Sequence, residues 1–161
     1  MKTPELTLDQ LLKILEIHAH KVLIELHQPS LMPMYHIHGD KDIAVGCLWE
    51  NEDQKLMALR EIKLLCKKTN ATMIGFVSEA WITKHSTGVD LSSVTLPSQS
   101  PDRIEVVSVF VSDGITTKTK DWQIMRNEPN GVILCLAPMN ETTGKFKGRM
   151  IDGLLPKRTV H

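Results

Sequence analysis

The dipeptide Asp113-Gly114 stands between two strand-like runs, RIEVVSVFVS (103–112) and TTKTKDWQIM (116–125). An Asp-Gly pair flanked by alternating apolar residues is a strong short-range hairpin code, because glycine supplies the positive φ of a tight turn. It fixes two neighbouring strands as antiparallel. The same grammar recurs on both sides. Pro129-Asn130-Gly131 turns the chain into VILCL (132–136), and ATMIGFVSEAWIT (71–83) reads as a long strand before the first run. Nearer the N-terminus, MYHIH (34–38) and IAVGCLW (43–49) flank Gly-Asp-Lys-Asp as a further hairpin. Strands joined in this way build an antiparallel sheet.

Two segments carry helical periodicity. Residues 7–27 open with a capping box, in which Thr7 accepts from the Gln10 amide and Gln10 reaches back, with Leu6 and Leu11 as the staple; Thr3-Pro4 is a competing start, with Pro4 at the first helical position. Leu8, Leu11, Leu12, Leu15, Ala19, Val22, Leu23 and Leu26 form one stripe, while Ile14, Ile17 and Ile24 fall opposite. Apolar residues on two faces predict a helix sandwiched within its own fold or shared with a second copy of the chain. Residues 53–68 form the second helix, with Asn70 as its stop. The order is helix, two strands, helix, then about four strands. The expected class is α+β, one domain over 1–137, with a mostly antiparallel sheet of five to six strands and both helices on one face. From Pro138 to His161 the pattern fades into an irregular tail.

The 161 residues suffice for one sizeable core. Nineteen basic side chains balance nineteen acidic ones, which removes any overall charge argument for nucleic acid or membrane. The tail differs, with five basic residues and one acid between Gly144 and Arg158. Lys145, Lys147 and Arg149 alternate with Phe146, so an extended tail could follow phosphates. No apolar run reaches the roughly 18–20 residues of a membrane span, and MKTPELTLDQ lacks the apolar stretch of a signal peptide. Cys47, Cys66 and Cys135 are odd in number and widely spaced, a pattern of free thiols in a reducing compartment. The expectation is a cytoplasmic protein.

Two constellations carry chemistry. In SEAWITKH (78–85), alternation puts Glu79 and Trp81 on the face of Met73, Gly75 and Val77. If 71–83 pairs antiparallel with 103–112, Trp81 lies near Glu105 and Glu79 near Val107. Glu79, Trp81, Arg103 and Glu105 then gather at the base of the 84–102 loop. Arginine can stack on tryptophan and bond a carboxylate in two places, which would let a carboxylate survive on an apolar face. Such a cluster either anchors the loop or lines a ligand or partner pocket beneath it, with Glu79 and Glu105 available as an acid–base pair. The second constellation is His36-Ile-His38-Gly-Asp40. The two histidines share a strand face, and Asp40 in the turn could complete a metal site. The H-x-H is similar to that of the JAMM-type deubiquitinating proteases, whose pattern further on demands a Ser-x-x-Asp. This chain reads AVGCLWEN there.

Glu79-Ala80-Trp81, a serine-rich loop and Pro101-Asp102-Arg103-Ile104-Glu105 before a valine-rich strand resemble a group of small bacterial and phage proteins of unknown function. The resemblance spans residues 54–114 and implies a bacterial or phage origin without an activity. Three function classes follow. The first is a non-enzymatic binding or assembly module that forms a homo-oligomer and binds a protein or small-molecule partner. The second is a hydrolase working through His36, His38 and Asp40 or through Glu79 and Glu105. The third is a nucleic-acid binder using the basic tail.

Overall fold

The computed structural model describes residues 6–82, 104–128, 131–144 and 153–156. Helix α1 (Leu8–His20) starts at Thr7, where both halves of the capping box form. It runs into a π-helical turn over Lys21–Glu25 and ends as His27 enters the left-handed region. Strands β1 (Met34–His38) and β2 (Asp42–Gly46) make the first hairpin, and α2 (Glu52–Lys68) follows. Strands β3 (Met73–Ile82), β4 (Ile104–Ser112), β5 (Thr117–Arg126) and β6 (Ile133–Gly144) complete the chain order. All six strands form one sheet in the order β2-β1-β3-β4-β5-β6, with every neighbour antiparallel. The expected α+β class and the antiparallel sheet are what the chain adopts.

The helices divide between the two faces of the sheet instead of sharing one. Alternation explains why. On β3 and β4, Met73, Val77, Val107, Val109 and Val111 point to one side and join Leu11, Leu12, Leu15, Ala19 and Leu23 of the first helix. Ile74 and Phe76 point to the other, where they meet Tyr35, Ile37 and the α2 residues Ile62 and Cys66. The central strands are apolar on both faces because both faces are covered. Gly75 sits where α1 crosses β3. A Cβ there would stand 2.5 Å from Leu15 Cδ1 and 3.4 Å from Leu11 Cδ2.

The π turn also answers the two-faced pattern of the first helix. Its wider turn shifts the phase, so Ile24 packs against the core while Leu26 is turned out. Ile14 and Ile17, which precede the turn, stay exposed.

Helix α2 closes with a Schellman motif. The Ala71 amide donates to the Cys66 carbonyl at 2.9 Å and the Asn70 amide to Lys67, with Asn70 at φ 51°. The β1–β2 turn rests on this helix end. The Asp40 amide donates to the Thr69 carbonyl at 2.7 Å, and the Asn70 side-chain amide donates to the Asp40 carboxylate at 2.8 Å. Gly39 is required there, since a Cβ would run into the Thr69 carbonyl and the Ala71 backbone.

The last strand does not stop at Pro138. β6 continues to Gly144, so the expected irregular tail begins with strand. Proline is tolerated because β6 is an edge strand. Farther on, Leu154 is buried in the α2-side cluster. Residues 145–152 and 157–161 of the expected tail lie outside the described residues.

Gly75→Val should lower stability by about 1–3 kcal/mol, the usual cost of overpacking a filled core. Urea titration would show a lower midpoint at an unchanged slope. An unchanged midpoint would mean that the α1 contact at Gly75 is loose.

Candidate functional site

The β3–β4 register pairs Trp81 with Glu105 and Glu79 with Val107, as the strand alternation predicts. Glu79 and Glu105 therefore lie at the same end of the sheet, on the α1 side. Arg103 and the Trp81 side chain lie outside the described residues. The cation that meets Glu105 is Arg126, the last residue of β5. Its Nε donates to Glu105 Oε2 at 2.7 Å, and its Nη2 lies 3.4 Å from Oε1. Arg126 Nη1 donates to the Gly131 carbonyl at 2.7 Å, which ties the β5–β6 turn to the same carboxylate. Both side chains of the pair are largely buried, at 17% and 24% exposed. Sequence reading ended the strand at Met125. The alternation Lys120, Trp122, Ile124 carried one step further would have placed Arg126 on this face.

Glu79 has a different partner. Its Oε1 accepts the Leu31 amide at 2.7 Å, linking the end of β3 to the segment between the first helix and β1. Burial raises the Glu79 pKa above its ordinary value. The nearby Glu105 charge adds to that rise, while the Leu31 hydrogen bond and Arg126 oppose it. The two carboxylates are thus unequal. Glu105 is engaged by a guanidinium, and Glu79 holds its proton more readily than a free glutamate does. A backbone amide and a neighbouring ion pair let this glutamate sit on an apolar face.

The histidine pair meets a carboxylate, and it is Asp42 rather than Asp40. Asp40 is bonded to Asn70 at the turn. Asp42 stands directly across from His38 in the β1–β2 register. Its Oδ1 is 2.6 Å from His38 Nδ1 and 3.5 Å from His36 Nε2. Hydrogen bonding to His38 is the largest influence on the Asp42 pKa and lowers it; burial opposes that, and the His38 charge and His36 assist. His36 Nε2 is buried without a hydrogen-bond partner among the described residues. The geometry joins the two strands by a polar contact. Among the described residues no group of three or more His, Cys, Asp or Glu side chains is placed to hold a metal ion.

At the opposite end of β3 from the carboxylates, a cleft of about 300 Å³ opens between the β1–β2 turn and the end of α2. Ile43 and Leu65 form its apolar floor, with Lys41 and Lys68 at its rim. It contains none of the expected site residues except Asp40. Lys145, Lys147 and Arg149 lie outside the described residues. No protein-family model matches this chain, and neither a curated protein nor a solved structure does.

Two measurements probe the cluster. The folded state holds the Glu79 proton more tightly than the unfolded chain does. Stability should therefore fall as pH rises from the ordinary value near 4.5 through the raised one. Glu79→Gln keeps an acceptor for Leu31 and removes the titration. Its melting temperature should exceed that of the parent at neutral pH and converge with it in acid; an identical pH profile would refute a raised Glu79. Arg126→Met leaves Glu105 and the Gly131 carbonyl without their donor and should cost about 1–3 kcal/mol. Arg126→Lys should recover only part of that loss, because an ammonium cannot reproduce the fork.

Proposed function

We propose that this chain is a non-enzymatic binding or assembly module that works as a homo-oligomer, in the cytoplasm of a bacterium or in the life cycle of a phage. The observation that carries the reading is the set of large apolar side chains left on the outer faces of both helices. Ile14 and Ile17 project from α1 at 39% and 56% exposure, and Leu56, Met57 and Leu64 project from α2 at 48%, 60% and 66%. Single exposed apolar residues are ordinary, but a run at helical spacing on a face turned from the core is what a partner surface requires. Leu56 and Leu64 lie two turns apart on one side of α2, with Arg60 between them.

The polar clusters point the same way. Glu105 is committed to Arg126, and Asp42 joins two strands through His38. Each has a sufficient structural role. The free thiols support a reducing compartment: Cys47 and Cys66 are buried, and Cys135 is exposed without a disulfide. Among the described residues, no helix is long and apolar enough to cross a membrane.

Light scattering on the purified chain over a wide concentration range tests the reading. The expected result is a mass above that of one chain, insensitive to salt because the surfaces are apolar. Leu64→Glu should lower that mass if α2 is the partner face, while leaving the stability within about 0.5 kcal/mol of the parent. A single-chain mass at every concentration would remove self-association from the reading.

A further inference from the structure

The two edges of the sheet are not equivalent. On β6, two register shifts against β5 each leave an extra β6 residue, one of them Leu134, and Pro138 contributes no N–H. Bulges and proline are what guard an edge against pairing. The β2 edge has neither. It pairs with β1 in unbroken register from Asp42 to Gly46, and no strand lies on its other side among the described residues.

The direction of its backbone groups follows from the hairpin. The Cys47 amide donates to the Pro33 carbonyl at 2.7 Å, and the Gly39 amide donates to the Lys41 carbonyl at 3.1 Å. Hydrogen-bonded positions alternate in an antiparallel pair, so Ile43 and Val45 turn their amides and carbonyls to β1. Asp42, Ala44 and Gly46 turn theirs outward. The open edge therefore presents donors and acceptors at regular strand spacing. From Ile43 to Trp49 the chain carries no charge. Leu48, 75% exposed, and Met32, 49% exposed, flank the strand.

We propose that β2 pairs antiparallel with β2 of a second copy of this chain about a two-fold axis at Ala44, joining the two sheets into one. The inference rests on the self-association reading and names its surface. In this register Ala44 meets Ala44, and Asp42 meets Gly46, each pair exchanging both N–H···O bonds. Like charges are never opposed. Ile43 meets Val45 in the intervening positions, where side chains approach most closely. Both are partly buried residues of the α2-side core, so that core continues across the axis. The contact is isologous and closes as a dimer.

The test uses the full chain, with its mass followed by sedimentation and its amide exchange by NMR. Ala44→Pro removes an outward amide without touching the β1 ladder, and Ile43 before it is already extended. Dimerisation should weaken by about tenfold or more, since each copy loses a bond. In the unsubstituted chain, the Ala44 and Gly46 amides should exchange more slowly as concentration fills the dimer, a readout that requires no variant to fold. A dimer that persists in Ala44→Pro with a native circular dichroism spectrum, together with an Ala44 amide that exchanges freely in the unsubstituted chain, overturns the proposal while self-association stands. Loss of that dimer in Ile17→Glu would place the contact on α1. A single-chain mass throughout overturns both.

Discussion

The approach of α1 to the sheet over Gly75 is the contact on which the rest of the structure depends. β3 lies third from one edge and pairs with both β1 and β4. Any side chain at position 75 would hold the helix away from the sheet, because Leu15, Leu11 and Val111 already fill the space. With the helix seated, Val77, Val107, Val109 and Val111 are removed from water, each contributing about 1.5–3 kcal/mol against a comparable loss of chain entropy. The odd-numbered positions of β3 are thereby committed to α1. The even-numbered positions Ile74 and Phe76 remain to be covered from the other side, which is the place α2 takes. The alternation of one strand thus assigns both helices.

That commitment has a consequence at the far end of β3. Position 79 shares the face of Gly75 and Val77, so a glutamate there is carried toward the α1 side whatever its polarity. It is accommodated because the segment between the first helix and β1 supplies the Leu31 amide, and because β5 ends in Arg126 beside Glu105. Among the described residues two carboxylates face one guanidinium, and the nearer pairing belongs to Glu105. Glu79 is left with a neutral donor, in surroundings that favour its protonated form. The cluster draws three strands and two connections together, and it is a property of the fold's closure before it is anything else.

Local codes in the sequence led to most of this architecture. Thr7 and Gln10 marked the start of the first helix, Asn70 the end of the second, and Asp113-Gly114 a hairpin, because each of these states a backbone requirement that few residues meet. The β3–β4 register was legible for the same reason: two long runs with matching alternation have few ways to pair. What was hidden required distance. The side of the sheet taken by each helix follows from which strand face is filled first, and no single segment encodes it. Arg126 was missed because its strand runs one residue past the apparent pattern, and Asp42 because a turn residue, Asp40, stood closer to the histidines in sequence. Cross-strand register, which brings Asp42 opposite His38, outweighs sequence proximity.

Edges and faces also make different demands on a partner. An apolar helix face such as that of α2 accepts many shapes, because burial has no direction. A strand edge is directional: it asks for backbone groups at fixed spacing and polarity. β6 is excused from that demand by its bulges and Pro138, while β2 meets it with three alternate outward positions, Asp42, Ala44 and Gly46. The same hairpin geometry that turns Ala44 outward also brings His36, His38 and Asp42 together on the α1 side of the sheet, since positions that do not exchange hydrogen bonds across β1 and β2 bring their side chains closest. The Asp42 contact holds β2 in register against β1, so the strand that is open on one side is pinned on the other. A pinned and regular edge is a preorganised one, and preorganisation lowers the ordering cost that a pairing strand would otherwise meet.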